Sequence, residues 1–174
     1  EGYSSDCFLK PVNLYWGSGN LVYVFCEVMN SNGKVHETND RAKLWGEDKD
    51  FWVGFEQEYF IRSGHNKNIL GFDSAMIEPQ GKYYCGVGNG QVNGRLFVEQ
   101  HMENCIMAGI EVTGTNAEVM LGQWEYQVLG KGKLKSGDDL WVSRYILNQM
   151  SEDYGFNIEY HPKPVTGDWN GSGL

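Results

Sequence analysis

The sequence has no Cys-x-x-Cys pair: Cys7, Cys26, Cys85 and Cys105 are widely spaced. That excludes the usual signatures of a zinc site or a dithiol redox centre, and the four are read as reduced, mostly buried thiols of a cytoplasmic protein. Nowhere is there a run approaching the roughly 20 apolar residues that a bilayer span needs, nor a basic-then-apolar leader, so no membrane partner is expected. Positive charge is also scarce, with 14 Lys and Arg against 23 Asp and Glu and a formal net charge of -9. Phosphate backbones are bound through Lys and Arg, so no nucleic-acid partner is expected either. An acidic enzyme that binds cations fits the balance better.

What remains is 174 residues, enough for one domain with a real core. The chain opens on Glu1 and closes just after the loop-like run from Asp168 to Gly173, and it is read as an internal piece of a longer protein. Residues 7–12 and 21–29 read as strands, the second followed by the turn chemistry of Asn30-Ser31-Asn32-Gly33. The polar stretch 38–50 is the best linker or boundary. Strands are expected at 51–62, 111–120 and 123–129, with a short one at 83–85 and a long loop over 63–82. Helices are expected over 94–108, ending at Gly109, and over about 138–154, ending at Gly155. Ser136, three residues before Asp139, resembles a capping box for the second helix. The fold class is α+β, a mainly antiparallel sheet with flanking helices.

One sheet face carries carboxylates where a core face would carry Val or Leu. Alternation in 51–62 sets Trp52, Gly54, Glu56, Glu58 and Phe60 on one side, with Phe51, Val53, Phe55 and Tyr59 on the other. Residues 116–127 repeat the pattern: Asn116 and Glu118 share a face, as do Gln123, Glu125 and Gln127. Glu118 and Glu125 are an odd number of positions apart, so a bulge or turn at Leu121-Gly122 must reverse the phase if they are to meet. With that reversal four Glu share a surface. Clustered carboxylates repel, and either a proton or a cation must relieve them; oxygen-rich clusters select Mg, Mn or Ca.

Other constellations carry less. Gly86-Val87-Gly88-Asn89-Gly90 lacks the third glycine of a dinucleotide fingerprint, since Gln91 stands there. Lys131, Lys133 and Lys135 read as a solvated hairpin edge, and His36, His65, His101 and His161 show no ligand spacing.

Taken together, Gly54-Phe55-Glu56-Gln57-Glu58-Tyr59, Tyr83-Tyr84-Cys85-Gly86-Val87-Gly88, Asn116-Ala117-Glu118-Val119-Met120, Gln123-Trp124-Glu125-Tyr126-Gln127 and Lys163-Pro164 with the run from Gly167 to Gly173 resemble, in order and spacing, the type II glutamine synthetases. Leu121 stands where many relatives have Pro, and the stretch before Trp52 is shorter than in animal enzymes, which looks more like a bacterial branch. The resemblance begins with the segment from Glu1 to Asp6 and implies that residues 1–41 are the C-terminal part of a β-grasp domain. Residues 42–174 would be the N-terminal part of the catalytic domain. It further implies an ATP-dependent glutamate–ammonia ligase using Mg or Mn, with ATP, glutamate and ammonia as partners, working as a homo-oligomeric ring. Position by position, Glu58, Glu118 and Glu125 match one metal site and Glu56 the other. Trp169, Asn170 and Gly171 match the glutamate loop, while Trp52, Glu125, Tyr126 and Gln127 lie in segments near the nucleotide. The family's ammonia-capturing aspartate, its metal-binding histidine and its phosphate-clamping arginines match nothing in these 174 residues, so this chain alone is expected to be inactive. Two readings of other classes stay open: a carbohydrate-active domain using paired Glu, and a non-enzymatic cation-binding module.

Overall fold

The computed structural model describes residues 6–47, 51–72 and 80–174. Strands β1 (Cys7–Trp16) and β2 (Val22–Asn30) form a two-stranded antiparallel ribbon. β1 runs past its expected end because the pairing slips between Pro11 and Asn13, a bulge that lets the strand pass a residue with no N–H to donate. One side of the ribbon lies on a long helix through Tyr15, whose hydroxyl donates to Asp139 at 2.8 Å, and Tyr23, which donates to Gln149 at 2.8 Å. Leu14, Trp16, Val22 and Val24 face solvent.

The polar stretch 38–50 holds a 3-10 helix at Asp40–Leu44, with Asn39 capping it by accepting the Ala42 N–H at 3.1 Å. Its Arg41 is an anchor. The guanidinium donates to both oxygens of Asp138, at 2.8 and 2.9 Å, and to Glu27 of the ribbon. Both carboxylates are buried, and such groups are tolerated inside a protein only when paired.

The second sheet has the order β4-β5-β3-β6, antiparallel throughout, from β3 (Trp52–Ser63), β4 (Val112–Ala117), β5 (Gln123–Lys131) and β6 (Phe156–Glu159). Helices α1 (Arg95–Met107) and α2 (Lys133–Tyr154) cover one face. Alternate strand residues Tyr59, Ile61, Trp124, Tyr126 and Val128 meet Phe97, Val98, Cys105, Val142, Ile146 and Leu147 there. Each large side chain so buried contributes about 1.5–3 kcal/mol, which fixes this face as the main core; the other carries the polar groups and a smaller buried cluster of Phe60, Ile69 and Met120. The expected α+β architecture is the observed one. Among the described residues no helix is long and apolar enough to cross a membrane.

Several expectations need correction. Helix α2 begins at Lys133, not near 138, so Ser136 and Asp139 lie inside it. Ser136 Oγ donates back to the Gly132 carbonyl at 2.6 Å, and Asp139 accepts from Tyr15 and Lys135. Lys133 and Lys135 therefore open a helix rather than edge a hairpin. Residues 83–85 are turns, not a strand: Gly86 N–H reaches the Tyr83 carbonyl at 2.9 Å, and Cys85 has φ 53°. β4 stops at Ala117 instead of Met120. Only Cys105 is buried; Cys7 and Cys85 are exposed and Cys26 half-buried. The segment from Glu1 to Ser5 and part of the long loop, 73–79, lie outside the described residues.

The turn between β4 and β5 depends on Gly122. Its φ is 76°, and a Cβ there would sit 2.6 Å from the Leu70 carbonyl oxygen. Gly122→Ala is expected to cost about 2 kcal/mol, from left-handed backbone strain plus that clash. Chemical denaturation of the two chains measures it, and a loss below about 0.5 kcal/mol would show that the turn relaxes freely.

Candidate metal centre

The strand pairing collects the acidic face. Glu58 stands directly opposite Glu125, Glu56 opposite Gln127, and Asn116 opposite Glu125 from the other side. Past the end of β4, Glu118 N–H still donates to the Gln123 carbonyl at 2.9 Å. The tight turn over 118–122 thus supplies the phase reversal that the spacing demanded, and puts Glu118 on the face of Gln123 and Glu125. Glu58, Glu118 and Glu125 each present a carboxylate oxygen within 4.8 Å of the others. Glu118 and Glu125 are buried, at 6% and 8% exposure. Glu56 shares the face but is exposed and outside this trio.

Burial pushes the Glu118 carboxyl above the usual carboxylate range; Glu58 and Glu125 add repulsion, and the Val119 amide partly offsets it. Glu125 is raised in the same way, by burial first and then by Glu56 and Glu58, against a hydrogen bond from Gln127. Amides hold the carboxylates in place: Asn116 Nδ2 donates to Glu118 at 3.1 Å, and Gln127 Nε2 to Asn116 at 2.8 Å and to Glu125. An all-oxygen donor set of three convergent, mutually repelling carboxylates fits a hard divalent cation such as Mg or Mn.

The 168–174 loop closes one side. Glu58 N–H donates to the Gly173 carbonyl at 3.2 Å, and Gly173 N–H returns to Glu58 Oε2 at 3.0 Å. The Trp169 ring packs against Phe72 with centroids 5.2 Å apart. Asn170 Nδ2 and the Gly171 carbonyl both meet the Gln123 amide. Gln80 holds the loop from outside, donating to the Asp168 carbonyl at 2.9 Å and accepting the Asn170 N–H. Glu56 also lines an open cleft of about 610 Å³, with Gly54, Thr113, Gln127, Leu129 and Leu174. Trp52 is exposed at the end of β3, its ring 5.9 Å below Lys131 Nζ. Tyr126 points the other way: its ring is buried and its hydroxyl lies 2.9 Å from Ser143 Oγ, so only its backbone borders this face.

Of the supporting residues, Gln123 and Asn116 carried a signal in the alternation of amides with Glu. Gln80 carried none, because its place depends on how the loop folds back.

A family model described as "Glutamine synthetase, catalytic domain" matches residues 36–174. The chain is 47% identical over 181 residues to the glutamine synthetase of Bradyrhizobium diazoefficiens, covering 100% of this chain and 52% of that protein. It is 46% identical to the chloroplastic glutamine synthetase of Chlamydomonas reinhardtii, with 99% and 48% covered, and 43% identical to that of Eremothecium gossypii, with 99% and 49% covered. The chain spans about half the length of these relatives. Relatives this varied, all sharing the region that builds the acidic face, make the chain a member of the glutamine synthetase family.

Proposed function

We propose that this chain belongs to an ATP-dependent glutamate–ammonia ligase, in which the γ-phosphoryl group of ATP passes to the side-chain carboxylate of glutamate and ammonia then displaces phosphate to give glutamine. The convergence of Glu58, Glu118 and Glu125 within 4.8 Å is the observation that carries the reading. These three would hold one Mg or Mn ion, with Glu56 contributing to a second. When bound, such ions neutralise charge on the transferring phosphoryl oxygens.

The chain's own residues hold the substrates. The loop of Trp169, Asn170 and Gly171, tied to Glu58 through Gly173 and to Gln123, would seat glutamate beside the carboxylates. Gln127 and the backbone of Glu125 and Tyr126, with Trp52 at the strand end, would border the nucleotide beside the cleft that Glu56 lines. Fixed amides and buried carboxylates spare the site reorganisation when the phosphoryl group moves. We assign residues 1–41 to the end of a β-grasp domain and 42–174 to the first part of the catalytic domain, within a cytoplasmic ring enzyme of the type II bacterial branch.

Calorimetric titration of this chain with MnCl2 is expected to show binding that Glu118→Gln weakens at least about tenfold. Affinity is expected to fall as pH is lowered from 7 toward 5, because protons compete for carboxylates whose proton affinity is already raised. The same chain should form no glutamine unaided. No Mn binding at pH 7, or unchanged binding in Glu118→Gln, would sink the metal assignment.

A further inference from the structure

We propose that Gln123 is a positioning residue that fastens the 168–173 loop to the carboxylate centre, so that glutamate and cation binding are coupled through one side-chain amide. The inference rests on the reading above for the identity of the two ligands, but not for the clamp itself.

Gln123 is the first residue of β5 and is 1% exposed. A glutamine amide has two N–H donors and an oxygen with two acceptor sites, and here all are used. Nε2 donates to Glu58 Oε2 at 3.1 Å and to the Gly171 carbonyl at 2.7 Å. Oε1 accepts the Met120 N–H and the Asn170 side-chain amide, each at 3.3 Å. Its backbone carbonyl meanwhile accepts the Glu118 N–H at 2.9 Å. One residue therefore touches two of the three clustered carboxylate residues and two residues of the loop. Glu58 Oε2 is the shared acceptor, because it also takes the Gly173 N–H at 3.0 Å.

Neither Glu nor Met in its place would repeat this set. Glu offers no donor to Glu58 or Gly171, and Met offers neither donor nor acceptor at similar length. A cation that fixes the orientation of Glu58 thereby fixes the amide, and the amide fixes the backbone at Gly171. Coupling of this kind is reciprocal: whatever factor the cation adds to glutamate affinity, glutamate adds to cation affinity.

The test combines amide hydrogen exchange with binding, on this chain and on Gln123→Met and Gln123→Glu, so that one variant serves if the other does not fold. Exchange at the Gly173 N–H is expected to rise about tenfold or more in either variant, while Tyr59 and Tyr126 in the sheet core stay protected. Unchanged Gly173 exchange, or an equal rise across β3 and β5, would overturn the clamp whatever the metal does. In the unaltered chain saturating MnCl2 is expected to tighten glutamate at least about fivefold. In either variant that factor should fall to about one; a factor that persists overturns the coupling. Failure of the unaltered chain to bind Mn or glutamate would instead overturn the coupling together with the functional reading, and leave the Gly173 result to decide the clamp.

Discussion

Replacing Arg41 with Met is expected to destabilise the chain by about 3–5 kcal/mol, the usual loss when a buried ion pair is broken from one side. The guanidinium joins three separate pieces of chain. It lies on the 3-10 helix, pairs with Asp138 of α2 through two hydrogen bonds, and reaches Glu27 of β2. The Glu27 and Asp138 side chains are 0% and 4% exposed, so neither can recover hydration when the cation goes. Asp138 suffers more. Glu27 keeps the Trp45 indole N–H at 2.7 Å and Lys10 at 3.7 Å. Although burial raises its proton affinity, the bonds from Trp45 and Arg41 outweigh that and leave its carboxyl below the usual range. Urea unfolding with an unchanged slope gives the difference directly. Adding Asp138→Asn to Arg41→Met should restore part of the loss, since the orphaned charge is then gone. A single-variant loss under about 1 kcal/mol, the value for an exposed pair, would mean that solvent reaches the pair.

Acid should weaken the fold through His101. The ring is 1% exposed, its Nε2–H meets the Ser143 carbonyl at 2.9 Å, and Tyr126 packs edge-on at 4.9 Å. Burial lowers its pKa from 6.5 to about 4. Above 6.5 both folded and unfolded chains hold the ring neutral, and the full stability is present. Below it the unfolded chain takes up the proton first, so stability falls until the folded pKa is reached. The loss attributable to this ring is about 2 kcal/mol between pH 7 and 5 and about 3 kcal/mol by pH 4. Glu118 and Glu125 work in the opposite direction, since their raised proton affinity makes the folded chain the stronger proton binder. The comparison is therefore with His101→Leu, whose stability should decline less over the same range by that amount. Parallel pH profiles for the two chains would show the ring to be protonated in the fold already.

Strand alternation told most about the site. A period of two is a local property, so the shared face of Trp52, Glu56 and Glu58 is visible in twelve residues, and the flanking aromatic residues Tyr59 and Trp124 identify which face is the core. The need for a phase reversal near Gly122 was equally visible, because parity along a strand leaves no other way to bring Glu118 to Glu125. What alternation cannot give is distance along the strand, and for that reason Glu56 counted equally with the trio although it stands apart. Side-chain competition defeated the helix start. Ser136 and Asp139 have the types of a capping box, but Gly132 begins the helix a turn earlier and the two polar groups are taken by Gly132, Tyr15 and Lys135. Arg41 was hidden for a related reason. Its partners Glu27 and Asp138 are remote in sequence, and a polar stretch with an arginine reads as a linker until the third dimension supplies the carboxylates.

The pairing of Glu58 with Glu125 and the tight turn before Gln123 also govern how this region responds to changes in chain length. A substitution alters one side chain. Removing Trp124, which alone separates Gln123 from Glu125, instead rotates every later position of β5 by half a pleat, sending Glu125 toward the helices and presenting core groups to the acidic face. Removing Gln123 together with Trp124 restores the side but sets Glu125 opposite Phe60, one full repeat past Glu58. Within β3, the turn over 118–122 and β5, the centre thus counts residues in pairs, and its integrity rests on spacing as much as on composition.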